Sequence, residues 1–530
     1  MKTLIISFTL LFFIPSIHEC NAQTAVVSKS SAEIKLATGD YLTEVLGTDD
    51  EGFYVLSTNQ GMGSSMMKKF TIQKFNNKTI SKIWSKDFSL NVSSEPVEGI
   101  YYMNHKIVVF YSTWEKSDKT KALNIKTISA SGEIKDSPNK EVRIKSGIFD
   151  FGGRDFYFSF STDSSKILVT NRFLDKKKNE ETTVTILNAD DFKKVSEKTI
   201  PNKYNNIASL TYNYQIDNDG NIFYLASYLT GEIVKNNFCI LKSSATEPQF
   251  LPITLANQAN INSALYFKIK EYNLSNAGKE YIETANELSY QILPNNKISL
   301  GGIFKDFKQK KCGFFSWSIN SNELKTISQK EQYFSDQLNE QIKSSNKGKS
   351  PIECDYGFNS IERNGNSLLF FFNAFKVVGY SPEMSILSDN VGIIAFNILN
   401  NDIATSHFFV NTTRNVGSAK TGIHKYQKNN NTYMCLGIPD AKNIEASSLS
   451  PFKTKYDDAK QKGNDISFVE MNEKGISNVY FGTSTTLKKE SLFMVENFLT
   501  INGSFLLPLI DYNNVINSSS YVRYELIDLK

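Results

Sequence analysis

A chain of 530 residues carries 59 lysines and arginines against 55 aspartates and glutamates, a formal charge of only +4. So weak a surplus over that length excludes a nucleic-acid or anionic-membrane partner held by charge. Aromatic residues reach 12%, with 25 Tyr and 38 Phe beside only 12 Pro, which favours β-sheet over helix or disorder.

The first element is a leader. Lys2 precedes an uncharged apolar run from Leu4 to Ile17, followed by a short polar stretch ending in Ala22. That layout predicts a secretory signal peptide over residues 1–22. The run is too short to span a bilayer as a helix, and Pro15 interrupts it. No transmembrane anchor is expected. Small residues at Cys20 and Ala22 place cleavage before Gln23, and Glu19 ahead of Cys20 argues against a lipoprotein. The remainder, 23–530, is expected to be periplasmic, extracellular or at the cell surface.

From there a polar turn followed by an apolar run recurs eight times: DDEGFYVLS, MNHKIVVFY, TDSSKILVT, NDGNIFYLA, PNNKISLGG, RNGNSLLFF, KNNNTYMCL and INGSFLLPL. The first apolar residues are Phe53, Ile107, Ile167, Ile222, Ile298, Leu368, Tyr433 and Phe505. Such spacing marks an array of supersecondary units, and the Asn, Asp and Gly of each turn accept the positive φ that a tight hairpin needs. Each run is succeeded by further strand-turn-strand pattern, as in residues 70–90 and 182–200. The reading is all-β: a single propeller of seven or eight four-stranded blades. Its sheets are apolar on both faces and therefore stacked radially. The chain stops at YVRYELIDLK, which looks like a third strand, while residues 31–38 resemble a fourth. The expectation is that the N-terminal strand completes the last blade and closes the circle.

Two segments depart from the plain blade. Residues 257–287 are an insertion. Residues 331–350 carry Tyr333, Phe334, Leu338 and Ile342 at helical spacing, which suits an amphipathic helix on the rim or a docking helix for a larger envelope assembly. The cysteines left after the leader, Cys239, Cys312, Cys354 and Cys435, allow two disulfides in three pairings, and their apolar settings equally suit buried thiols.

The segment FSFSTDSSKILVTNRF resembles the strand-turn-strand motif of TolB-like propellers, with Thr162 and Ser164 where that motif has Pro and Gly. More broadly, YFSDQLNEQI with KGKS, NSIERNGNSLLFFFNAF, IPDAKNIEAS and ISFVEMNEKG resemble exported propeller-like proteins of uncharacterised function from Bacteroidetes. The resemblance implies an envelope or extracellular location and brings no catalytic residue with it.

Chemistry-bearing motifs are few. Asp217, Asp219 and Gly220 in DNDGN suggest a calcium loop, but Tyr228 stands at the twelfth position and the segment coincides with the repeated turn. Counting back nine residues from each marker gives Glu44, Glu98, Phe158, Asn213, Ser289, Asn359, His424 and Glu496, polar in all but one case. First strands line a propeller's channel, so this column reads as water-facing. Around the ring His424, Glu496, Glu44 and Glu98 fall side by side as a binding arc for a cation, with Ca2+ the candidate, or for the polar end of a ligand. The plainer reading is a channel lined for solvation alone. The expected function is a non-enzymatic ligand-binding or scaffold propeller of the bacterial cell envelope, its partner an envelope protein or a glycan. The alternative is a hydrolase acting on glycans or peptides, with channel carboxylates about 5 to 9.5 Å apart as acid and base.

Overall fold

The computed structural model describes residues 22–32, 34–35, 40–59, 69–89, 96–115, 117–118, 120–137, 142–145, 156–174, 180–201, 203–204, 207–208, 213–228, 237–243, 248–253, 268–270, 281–283, 288–306, 309–380, 386–410, 414–416, 424–428, 431–438, 465–473, 475–482, 491–492, 499–501, 503–511 and 521–529. These form a β-propeller of eight units, each with one of the turns that mark the sequence between its first and second strands.

Blade 5 shows the plan: Leu288–Leu293, Lys297–Asp306, Lys311–Asn320 and Lys325–Tyr333 pair antiparallel in chain order. Its two middle strands are buried along nearly their whole length, whereas the fourth is mostly exposed. A sheet buried on both faces must have neighbours on both sides. Phe314 of blade 5 accordingly stacks on Phe396 of blade 6 at 4.2 Å and meets Phe370 and Phe372 edge-on. Equivalent apolar layers join blades 1 to 2, 2 to 3, 3 to 4, 4 to 5 and 6 to 7. Tyr433 and Phe468 of blade 7 meet Phe505 of blade 8, and Tyr524 of blade 8 packs on Phe53 and Phe75 of blade 1. The first strands neighbour one another around the ring, Asp40–Thr48 lying between Leu499–Ile501 and Val97–Met103.

The last blade consists of Leu499–Ile501, Ser504–Asp511 and Tyr521–Leu529, and its fourth position is taken by N-terminal residues. Ala25 to Ser30 pair antiparallel with Leu529 to Glu525, and Ile34–Lys35 with Val522–Tyr521. Pairing thus begins six residues ahead of the expected 31–38. It continues backward onto blade 7, where Ala22–Thr24 run parallel to Val479–Phe481.

The hairpins between third and fourth strands of blades 1, 3 and 5 carry a repeat that hydropathy hides. Asn76, Asn188 and Asn320 each accept two backbone N–H groups through the side-chain oxygen, from Lys78 and Thr79, Asp190 and Asp191, and Asn322 and Glu323. Four residues on, Ile80, Phe192 and Leu324 take φ of 53°, 60° and 50° while burying their side chains. Left-handed backbone is costly for such residues, so packing beneath the turn must offset it. Three residues further, Ile83, Val195 and Ile327 are bulged and exposed.

At this end of the ring, a lysine from each of blades 1 to 5 clasps the next blade's hairpin. The donors are Lys74 to the Ala130 carbonyl, Lys106 to Asp190, Lys166 to Asn218, Lys242 to Ser321 and Asn322, and Lys297 to the Asn401 side chain. Between blades 6 and 7 Asn397 takes the place, donating to the Glu473 carbonyl at 2.7 Å. A flexible stem ending in three donors suits hairpin carbonyls that no sheet partner satisfies.

The segment 331–350 divides differently from its spacing. Tyr333 ends a strand, Ser335 caps the helix Asp336–Ser345 by accepting from the Leu338 N–H at 3.2 Å, and Phe334, Leu338 and Ile342 are buried between blades 5 and 6. The apolar face is used internally, so it offers no docking surface. Of the 257–287 insertion, Lys268–Lys270 and Tyr281–Glu283 form a two-stranded ladder, and the rest lies outside the described residues. In DNDGN, Asp217 accepts from the N–H groups of Asp219 and Asn221, with Gly220 at φ 91°, which is turn chemistry. Among the described residues no helix is long and apolar enough to cross a membrane.

His407, on the outer strand Asp402–Val410 of blade 6, has its imidazole pKa lowered by burial to about 4. The unfolded chain then binds a proton near pH 6.5 that the folded chain refuses, so stability falls as pH drops from 6.5 toward 4 and is level above that window. The urea midpoint is expected to fall between pH 7 and pH 4.5 by an amount equal to roughly 2 to 3 kcal/mol more than in His407→Gln.

Candidate functional site on the innermost strands

Strand pairing gives the described residues of the polar column their height along each blade. Glu44 lies opposite Leu56, Phe158 opposite Val169, Ser289 opposite Gly301 and His424 opposite Cys435. Glu98 and Asn359 fall at bulges beside Phe110 and Phe371. All these partners lie two or three residues past the marker of their own blade, so these six residues sit at one level of their blades. Asn213, just before Tyr214–Ile216, joins the same level through its side chain, which donates to Ser289 Oγ of the next blade at 3.2 Å. The side chains of Glu44 and His424, and the whole of Glu496, lie outside the described residues.

Level is one matter and orientation another. Glu98 is buried, and its carboxylate accepts from Ser112 Oγ at 2.6 Å and from the Phe156 N–H of blade 3 at 3.3 Å. The bulge between Val97 and Gly99 re-aims this side chain off the alternation of its strand. Its geometry is that of an anionic acceptor fixing the start of the next innermost strand. Phe158 stacks on Phe110 at 4.3 Å and meets Tyr101 edge-on. Asn359 donates to Asn373 at 3.3 Å.

Blades 4 and 5 are joined at this level by the side chains of Asn213, Gln215 and Tyr290. The Gln215 side chain behaves as an extra peptide unit, donating to the Tyr290 carbonyl at 2.7 Å and accepting from the Ile292 N–H at 3.2 Å. The Tyr290 hydroxyl donates toward the carbonyls of Asn213 and Phe223, and burial raises its pKa well above the ordinary value. Sequence reasoning misses Gln215 and Tyr290, because neither stands in the column; only their place two and one residues beyond it marks them. Among the described residues no three His, Cys, Asp or Glu side chains converge on a point. What the described girdle can do chemically is hold the innermost strands in register through hydrogen bonds that cross from blade to blade.

Glu98→Ala is therefore expected to destabilise by about 1–3 kcal/mol, since the Ser112 hydroxyl and Phe156 amide lose a buried acceptor. Glu98→Gln keeps one acceptor oxygen and should cost less. Urea unfolding of the two variants gives the comparison.

No family model matches the sequence, and no curated protein is significantly similar to it. The β-propeller domain of the Trilobed protease from Pyrococcus furiosus shares 10% identity, with 72% of this chain and 96% of that chain covered and a TM-score of 0.29. Drosophila Plexin A in complex with Semaphorin 1b shares 7%, covering 95% and 88%, with a TM-score of 0.32. The Bacillus subtilis arabinanase Arb43A shares 14%, covering 54% and 99%, with a TM-score of 0.23. Overlaps so slight transfer no activity, substrate or partner.

Proposed function

We propose that the chain is an exported binding or scaffold propeller of the bacterial cell envelope. The observation that supports this reading is the unlike construction of the ring's two ends. At one end, strands are joined by hairpins of two to five residues, held by Asn turns and lysine clasps. At the other end the connections lengthen, from Ile438 to Asp465 within blade 7 and from Ile253 to Leu288 between blades 4 and 5. Long connections on a rigid frame are where proteins place recognition. The innermost strands begin at that end, and their first residues include Glu98, Ser289 and His424.

On this reading Glu98 fixes the frame, while Glu44, His424 and Glu496 offer a cation or a ligand's polar end a site on neighbouring blades. Calorimetric titration of residues 23–530 with calcium tests it. Binding that is lost in Glu44→Gln with Glu496→Gln supports the arc. No binding, or binding the double substitution leaves unchanged, makes the column a solvated lining. Turnover of a glycan or peptide that the same substitutions abolish would replace binding with hydrolysis.

A further inference from the structure

Packing separates the cysteines whose pairing the sequence leaves open. Cys239 lies between blades 3 and 4, among Tyr214, Tyr224 and Leu241. Cys312 and Cys354 share the core between blades 5 and 6, both fully buried and both thiols, with no bond between their sulfurs in this structure. Three groups connect their surroundings. Lys305 pairs across the sheet with Cys312, and its ammonium donates to the Cys354 carbonyl at 2.6 Å. The Tyr356 hydroxyl lies 3.8 Å from Cys312 Sγ and donates to the Pro351 carbonyl at 2.8 Å. That same carbonyl accepts the Cys354 N–H at 3.0 Å. The turn Pro351–Glu353 packs directly on the strand Lys311–Asn320 that carries Cys312. Cys354 Sγ in turn faces the Asn346 side chain at 3.2 Å, just past the helix.

We propose that Cys312 and Cys354 form a structural disulfide in the exported protein, tying the 334–354 connection back to blade 5. The inference rests on the export reading for its oxidant and on packing alone for its pairing. One thiolate attacks the disulfide of an envelope dithiol–disulfide oxidoreductase, giving a mixed disulfide. The second thiolate displaces the enzyme's sulfur, so that two thiols lose two protons and two electrons and the oxidoreductase leaves as a dithiol. Burial holds the Cys354 thiol protonated, with its pKa pushed up to about 12, so exchange belongs to the stage before the core between blades 5 and 6 closes. Once closed, that core shelters the bond from reductant. The helix Asp336–Ser345 packs over the outer strands of blade 6. A bond from the end of its connection to blade 5 therefore pins the crossing between two blades.

The first experiment separates pairing from location. Residues 23–530, purified reduced, are refolded in a buffer of oxidised and reduced glutathione, then denatured, alkylated and digested. A Cys312–Cys354 linked peptide, lighter by two hydrogen atoms than the two thiols, is expected. A Tm several degrees lower after reduction, unchanged by reductant in Cys312→Ser with Cys354→Ser, should accompany it. Complete alkylation of both cysteines, or a link from either to Cys239 or Cys435, overturns the pairing. In the second arm the full chain is produced with its leader in bacteria that possess or lack the envelope oxidase. Linkage in glutathione buffer but in neither strain keeps the pairing and overturns the export reading.

Discussion

A chain that starts at Gly39 instead of Gln23 is expected to lose its single cooperative melting transition and to self-associate. The missing segment hydrogen bonds along the strand Tyr521–Leu529 through residues 25–30 and 34–35, with the Ser31 N–H reaching the Tyr524 carbonyl and Ser31 Oγ receiving the Tyr524 N–H. At roughly 1 kcal/mol for each backbone hydrogen bond, the loss is on the order of 5 kcal/mol, comparable with the whole stability of many domains. The damage does not stay at the rim. Tyr524 is fully buried in the layer that joins blade 8 to blade 1, edge-on to Phe53 and tilted against Phe75 with Val55 and Leu506 beside it. Freeing the strand that carries it loosens the seam where the ring's first and last blades meet. The uncovered edge of Tyr521–Leu529 is then a template for a second chain. A synthetic peptide of residues 22–35, added in trans, should restore the transition by adding back as a strand. Differential scanning calorimetry and size-exclusion chromatography read both effects. An unchanged melt for the shortened chain would mean that the N-terminal strand only decorates the last blade.

Much of the ring is legible in the sequence because its turns use residues with an unambiguous chemistry. Asn104–His105, Asn295–Asn296 and Asn400–Asn401 all take the paired positive φ of tight hairpins, and the first two sit at marker turns. The apolar runs behind the markers are the buried second strands, Phe53, Ile107, Ile167, Ile222 and Ile298 being almost wholly enclosed. Outer strands are harder, because their patterns break the rules that reading by alternation relies on. Ile83, Val195 and Ile327 are apolar and exposed at bulges, while Ile80, Phe192 and Leu324 are apolar residues in a turn. The N-terminal strand starts earlier than its sequence suggests because Ala25 to Ser30, three apolar residues followed by three polar ones, show no alternation; only the partner strand, about five hundred residues away, gives them a structure. The column is legible as a level of the ring, since a count of residues from the turn fixes height along the strand. It is not legible as an orientation. Glu98 falls at a bulge with its carboxylate bonded to Ser112 and to the next blade, and nothing in the local sequence announces that bulge.

The lysine clasps should differ greatly in strength, and Lys74 should dominate. Its side chain is 1% exposed, with the ammonium 2.9 Å from Asp49, 3.1 Å from Glu51 and 3.3 Å from the Ala130 carbonyl of blade 2, over the ring of Tyr54. Asp49 is itself the turn-forming residue between the first two strands, accepting from the N–H groups of Glu51 and Gly52 and from the Tyr54 hydroxyl. Burial alone would raise its pKa, but the bonds from Tyr54, Lys74 and the two turn amides outweigh that and hold the carboxyl below its ordinary range. Lys74→Ala leaves that half-buried carboxylate without its cation and opens the space above Tyr54, so a loss of about 3–5 kcal/mol is expected. Lys74→Met keeps the packing and should cost less. Lys106→Met, at a clasp whose donor reaches one exposed carbonyl, should cost about 1 kcal/mol or less. The pH dependence distinguishes an ion pair from mere packing. A depressed carboxyl contributes stability above its unfolded pKa near 4 and loses it as pH falls through the lower folded value. The wild-type chain should therefore shed part of the Lys74 contribution between about pH 5 and pH 2, whereas Lys74→Met, having lost much of what depresses Asp49, should show a flatter acid limb. Urea titrations across that range, with Asp49→Asn completing a double-mutant cycle, measure the coupling. Equal losses at Lys74 and Lys106, with no coupling to Asp49, would show that the clasps act through their stems and that the buried charge contributes nothing of its own.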